Sequence, residues 1–124
     1  MSAPYRIMVW GPGRMGSLCI WEISHSPAFE LVGVRAYSES KCGVDAGDLV
    51  GIAPMGITLT CDVDALLRID CDCIVYTAHD EGRYHTDDEI LMLLAAGKNV
   101  VTPLPYQNAH LFREEDFVTR LKAA

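Results

Sequence analysis

The chain has 124 residues, long enough for one domain with its own core and short for two. Ten Lys and Arg stand against seventeen Asp and Glu, a net charge of -7, so no basic stripe exists to displace the counterions of a nucleic-acid backbone. That balance leaves nucleotide cofactors open, because helix N-termini and peptide N–H groups hold phosphates without much net charge.

Residues 5–10 (YRIMVW) are a short apolar run that ends in glycine, and they predict a buried strand. Residues 14–24 carry Met15, Leu18, Cys19, Ile20 and Ile23 at helical spacing. Ser26-Pro27 closes that helix, since proline disfavours helix at the residue before it. A second strand is predicted over 29–37 (FELVGVRAY). Residues 38–56, with four glycines, read as a long and partly structured connection, and 57–60 (ITLT) as a third strand. Asp62 is placed to cap a helix over 63–69. Residues 72–77 (DCIVYT) predict the fourth strand. Thr86-Asp-Asp-Glu89 has the capping-box pattern for a helix that runs to Ala96 and ends at Gly97. Residues 99–102 (NVVT) predict the fifth strand. Residues 113–122 predict a last amphipathic helix on Phe117, Val118 and Leu121.

Strands that alternate with helices imply right-handed crossovers and a parallel sheet covered on both faces. The expected fold is therefore α/β, a Rossmann-like doubly wound parallel sheet in strand order 3-2-1-4-5, one domain over residues 1–124. Ligand in such a sheet sits at the carboxyl ends of the strands, beside the first.

Gly11-Pro-Gly13-Arg-Met-Gly16 lies between the first strand and the first helix, the context in which a GxGxxG loop carries meaning. Gly11 permits the tight turn, Gly13 lets the backbone approach a pyrophosphate, and Gly16 allows close packing of helix on strand. The helix N-terminus offers unpaired N–H groups and about half a positive charge to the phosphates. Expected cofactor contacts are Gly11, Gly13, Arg14, Met15 and Gly16 in this loop. Tyr37, Ser38 and Lys41 are added after the second strand, Thr77, Ala78 and His79 after the fourth, and Thr102 at the end of the fifth. The cofactor is NADP or NAD. An NAD site usually places Asp or Glu at the end of the second strand, where this chain has Tyr37. Arg35, Ser38 and Lys41, with Arg14, are candidates for a 2′-phosphate, whereas Glu39 suits an NAD ribose. The balance favours NADP or dual use.

With that loop in view, the chain resembles the N-terminal domain of the dihydrodipicolinate reductase family. Gly13-Arg-Met-Gly16, Asp80-Glu-Gly82 and Gly97-Lys-Asn-Val-Val-Thr102 carry the resemblance, which covers nearly the whole chain. Residues 41–51 (KCGVDAGDLVG) are similar to 2,4-diaminopentanoate dehydrogenases and native amine dehydrogenases of the same fold. The resemblance implies an oxidoreductase of roughly two to three times this size, split into domains. Its C-terminal domain would carry the substrate pocket and the oligomer contacts, and the expectation is that residues 1–124 do not include it. It also implies hydride transfer between the nicotinamide and a C=N or C–N carbon of a small imine or amine. One departure is residues 102–108 (TPLPYQN), where the reductases have a Gly-Thr-Thr-Gly loop and the amine branch often an acid. Thr102 matches, the acid does not, and this counts against amine deamination.

No catalytic residue follows from the sequence, although His79 and Tyr106 fall on the ligand-facing edge. A loop histidine bonded to backbone is the commoner arrangement. The odd count of five cysteines, set among strand and helix residues, suggests reduced thiols in the cytoplasm, and Cys71-Asp-Cys73 lacks the second pair of a zinc site. No metal is expected. Neither a signal peptide nor a membrane span is recognisable. The expected partners are a nicotinamide dinucleotide, a second copy in a homo-oligomer, and a small-molecule substrate once the second domain is present. Alone, the chain should bind dinucleotide and turn over little. The alternative is a stand-alone binding or sensing module without catalysis, possible also as a self-associating form.

Overall fold

The computed structural model describes residues 3–78, 86–104 and 115–123. Strand β1 (Tyr5–Trp10) leads into helix α1 (Arg14–His25) and strand β2 (Phe29–Arg35). A 3-10 turn at Glu39–Lys41 and two short helices, α2 (Ala46–Val50) and α3 (Val63–Leu67), fill the long connection to β3 (Cys73–Tyr76). Helix α4 (Asp87–Ala95), strand β4 (Val100–Val101) and helix α5 (Glu115–Ala123) complete the chain.

The four strands are parallel, in the order β2-β1-β3-β4. β1 is central because it is apolar on both faces. Ile7 and Val9 point into one core with Ile20, Ile23, Leu31 and Val34. Met8 and Trp10 point into the other with Leu66, Ile74, Tyr76, Ile90 and Leu93. A strand buried on both sides needs helices above and below, which is the doubly wound α/β arrangement. Part of the outer surface stays apolar: Met15 and Leu18 on α1 are 53% and 62% exposed, and Phe29 on β2 is 42%. Among the described residues no helix is long and apolar enough to cross a membrane.

The expected third strand is corrected. Residues 57–60 lie beside β2 at the expected edge, but they form only two isolated bridges, Thr60 with Arg35 and Thr58 with Asp45. Their hydrogen bonds are divided between two partners. Thr60 N donates to Val34 O at 3.0 Å, while Leu59 N donates to Val44 O at 2.8 Å and receives Gly43 N on its carbonyl at 2.7 Å. One bridge on each side is too short a run to extend the β2 ladder, so the segment pairs at the sheet edge without becoming a strand. Among the described residues the sheet thus has four strands in place of five, with the other strands in the expected order.

Backbone pairing in the same region corrects the cysteine reading. Gly43 and Val44 bonded to Leu59 bring Cys42 and Cys61 to a Cα separation of 6.2 Å, and the two are joined in a disulfide. Cys19, Cys71 and Cys73 are free. Burial pushes all three thiols up.

Asp45 organises the loop that follows. Its side chain accepts from Gly47 N at 2.7 Å and Met55 N at 2.8 Å on one oxygen, and from Gly56 N at 2.9 Å on the other. These amides, Met55 first, hold the carboxyl below the ordinary aspartate range. With the folded pKa below the unfolded one, the unfolded chain binds more protons in that window, so stability rises with pH there. The contribution is complete above about pH 4 and is lost as pH falls through the lowered value. Melting curves between about pH 5 and about pH 3 should therefore fall more steeply for the wild type than for Asp45→Asn. Parallel falls in the two proteins would contradict this role.

Candidate functional site

β1 ends at Trp10, and the backbone is pinned on both sides as it leaves the sheet. Gly11 N donates to Arg35 O at 3.0 Å, and Thr77 N donates to Trp10 O at 2.8 Å. The Thr77 hydroxyl then donates to Gly11 O at 2.8 Å. Gly11 turns with φ +97°, and a Cβ there would meet the Ala78 N and Cα at 2.5 Å. Gly16 is equally constrained, since its Cβ would stand 2.1 Å from Gly11 O. The loop and the start of α1 are thus pressed onto the end of β3 at two points where only glycine fits.

Gly13 differs from both. Its φ is -77° and nothing lies within 4 Å of where a Cβ would be. It is the N-cap of α1, it makes no side-chain cap hydrogen bond, and the first turn of α1 holds no acid. Asp45 and Asp62, by contrast, accept amide hydrogens at the starts of α2 and α3. The leading peptide groups of α1 and the Arg14 guanidinium make this the electropositive side of the loop.

A groove of about 540 Å³ runs past this point. The loop contributes Gly11, Pro12, Gly13, Arg14 and Met15, and the segment after β2 contributes Tyr37, Ser38 and Lys41. Thr77 and Ala78 enter from the end of β3, Pro103 and Leu104 from beyond β4. Among the described lining residues two, Arg14 and Lys41, are cationic and none is a carboxylate. Lys41 Nζ lies 3.5 Å from the Pro12 carbonyl, so the cation is held against the loop. The groove lies at the carboxyl ends of the strands, where β1 has β2 on one side and β3 on the other. Open α/β sheets bind their ligands at such a switch point.

The sequence profile of the family described as dihydrodipicolinate reductase, N-terminus, matches residues 5–102. The chain belongs to that family. A relative within the reductases is 4-hydroxy-tetrahydrodipicolinate reductase of Synechocystis sp., 34% identical over 55 residues, 44% of this chain and 20% of that protein. The amine dehydrogenase of Mycobacterium smegmatis superposes with a TM-score of 0.69 at 26% identity, over 79% of this chain and 29% of that one. GenD2 from gentamicin A biosynthesis, solved in complex with NAD, superposes with a TM-score of 0.61 at 26% identity, over 82% of this chain and 27% of that one. The chain therefore spans less than a third of the length of each.

Within this reductase-family domain, the residues expected from the sequence divide into four groups. Gly11, Gly13, Arg14, Met15, Tyr37, Ser38, Lys41, Thr77 and Ala78 come together along the groove. Gly16 is buried behind the loop and supports it. Thr102 stands just outside the lining, where its hydroxyl accepts Leu104 N at 3.2 Å. His79, Asp80, Gly82 and Tyr106 lie outside the described residues.

Arg35 does not face the groove as a phosphate partner. Its guanidinium lies 4.2 Å from the centroid of the Tyr37 ring and 5.9 Å from that of Trp10, and it donates to Ala36 O. Glu39 is likewise absent from the lining. Pro12, Pro103 and Leu104 line the groove without having been foreseen, because the glycine mechanism draws attention to backbone and hides the prolines beside it.

The capping box is also corrected. Thr86 makes no side-chain cap hydrogen bond, and Glu89 turns away from the helix start to accept from the hydroxyls of both Tyr37 and Tyr76. Burial first, and then the Glu89 carboxylate, push both phenols above the usual tyrosine range, so each is a proton donor at neutral pH.

Proposed function

We propose that the groove binds a nicotinamide dinucleotide, with its pyrophosphate over Gly13 and the first peptide groups of α1. The observation that carries this reading is the open space at Gly13, in a loop whose two other motif glycines are sterically obligatory. Arg14 and Lys41, beside the segment after β2 that holds Tyr37 where an NAD site usually has an acid, support a preference for NADP over NAD. Ser38 is exposed beside Lys41 and would add a hydroxyl donor to a 2′-phosphate.

On this reading residues 1–124 are the cofactor-binding domain of a longer oxidoreductase, which moves a hydride between the nicotinamide and a C=N or C–N carbon of a small imine or amine. The family and the amine dehydrogenase likeness support that substrate class. The hydride chemistry belongs to the dinucleotide, and this chain binds and orients it. Substrate would be gripped by the remainder of the longer protein, which alone makes turnover possible. The exposed Met15, Leu18 and Phe29 suit burial against that remainder or a second copy. A cytoplasmic location retains the three free thiols as its support and loses the Cys42–Cys61 pair.

Titration of the 124-residue chain with NADPH and NADH, followed by tryptophan emission, tests the reading. Trp10 is fully buried just before the loop and Trp21 is partly exposed on α1. Saturable quenching is expected with both ligands, NADPH binding tighter. Lys41→Ala should weaken NADPH about tenfold, leave NADH nearly unchanged, and so remove the preference. Tighter binding of NADH would overturn the NADP assignment. Absence of binding by either at millimolar concentration would overturn the groove assignment itself.

A further inference from the structure

The ring of Tyr37 is held from two directions. Arg35 covers one face at 4.2 Å, and the hydroxyl at the far end donates to Glu89. Glu89 is itself fixed, because the same oxygen accepts from Tyr76, which is 1% exposed and belongs to β3. Tyr37 is nevertheless 46% exposed and lines the groove. An exposed tyrosine on a loop ordinarily samples several rotamers. This one is anchored, with Arg35 over its ring and its hydroxyl bonded to Glu89, while the residue lines the groove.

We propose that Tyr37 is the platform on which the adenine of the dinucleotide stacks, and that Glu89 is the positioning residue that holds the platform in place. The proposal rests on the dinucleotide reading above. With the pyrophosphate over Gly13, the segment after β2 meets the adenosine half of the ligand and the ends of β3 and β4 meet the nicotinamide half. A purine offers a flat π-face to an aromatic ring, and a ring already immobilised loses little further freedom on binding. Glu89 reaches this site from α4, 52 residues away in the chain, and joins the exposed Tyr37 to the buried Tyr76 through one oxygen.

The test measures NADPH affinity of the 124-residue chain by tryptophan emission, together with saturation-transfer NMR of bound NADP. Tyr37→Leu should weaken NADPH about tenfold. It should also reduce saturation transfer to the adenine ring protons while leaving that to the nicotinamide protons. Glu89→Ala should weaken NADPH roughly threefold, and Glu89→Gln, whose amide oxygen still accepts, should restore most of it. In the Tyr37→Leu background Glu89→Ala should add nothing, which a purely structural role for Glu89 would not produce. If Glu89→Ala does not fold, Tyr37→Phe removes the same bond from an exposed side chain and should show the same threefold loss. Wild-type affinity in Tyr37→Leu, or an undiminished Glu89→Ala effect in that background, overturns the proposal and leaves the groove reading intact. A wild-type chain that binds no dinucleotide overturns both.

Discussion

Gly11→Ala is expected to lose about 3 kcal/mol of stability or more, the sum of a left-handed backbone strained by a Cβ and a steric overlap with backbone. The overlap is with Ala78 N and Cα at 2.5 Å, in the segment that closes the sheet behind the loop. Neither atom is the end of a flexible side chain, so relief requires moving β3 or the loop. Gly16→Ala should behave alike, because its Cβ would meet Gly11 O at 2.1 Å and the Thr77 hydroxyl at 2.8 Å. Displacing that hydroxyl also removes its bond to the Gly11 carbonyl. For a chain of this length such a loss lowers the melting temperature by roughly 10 °C. Thermal unfolding followed by circular dichroism measures it. Either variant melting within a degree or two of wild type would show that the loop relaxes freely and does not pin the sheet.

Gly13→Ala should do the opposite. Nothing stands near its Cβ position, φ is ordinary for an L-residue, and stability should change by less than about 1 kcal/mol. Binding is another matter, since a methyl group at this point occupies the space through which a pyrophosphate would reach the peptide groups of α1. A loss of roughly 10- to 100-fold in dinucleotide affinity is expected, from the overpacking of a rigid contact. Calorimetric titration with NADPH, beside a melting curve of the same sample, separates the two effects. Unchanged affinity would mean that the phosphates do not pass over Gly13, and the central support for the cofactor assignment would fall. Two of the motif's three glycines are thus required by the fold, whereas no contact of the fold requires the third, Gly13.

Much of this was legible in the chain. The β1 run, the glycine loop and the α1 stripe are adjacent in sequence and encode each other through local rules: a strand, a turn that only glycine can make, a helix that starts at once. Asp62 was readable as a cap for the same reason, and its side chain accepts Ala65 N at 3.1 Å. The groove-lining positions after β2 and β3 followed from topology, since a parallel sheet collects its carboxyl ends on one edge.

Other features were hidden by competition between local and distant partners. The Thr86–Glu89 spacing satisfies the capping-box pattern, yet two phenols from β2's end and from β3 offered Glu89 a better-enclosed hydrogen-bonding site than its own helix terminus. Arg35 looked like a surface cation for a phosphate until the aromatic rings of Trp10 and Tyr37 were brought beside it. Residues 57–60 have the β-propensity of a strand, but only Thr60 meets β2, through a single bridge at Arg35.

The amino-acid sequence by itself determined the alternation of strands and helices outside residues 38–60, the parallel doubly wound class and the glycine loop, because each rests on periodicity or on conformations available within a few residues. Tertiary structure decided the Cys42–Cys61 bond across 19 residues, the division of the third-strand segment, and the Glu89 contact that immobilises Tyr37. These depend on which distant groups become neighbours once the two cores close around β1, and no local spacing carries that information.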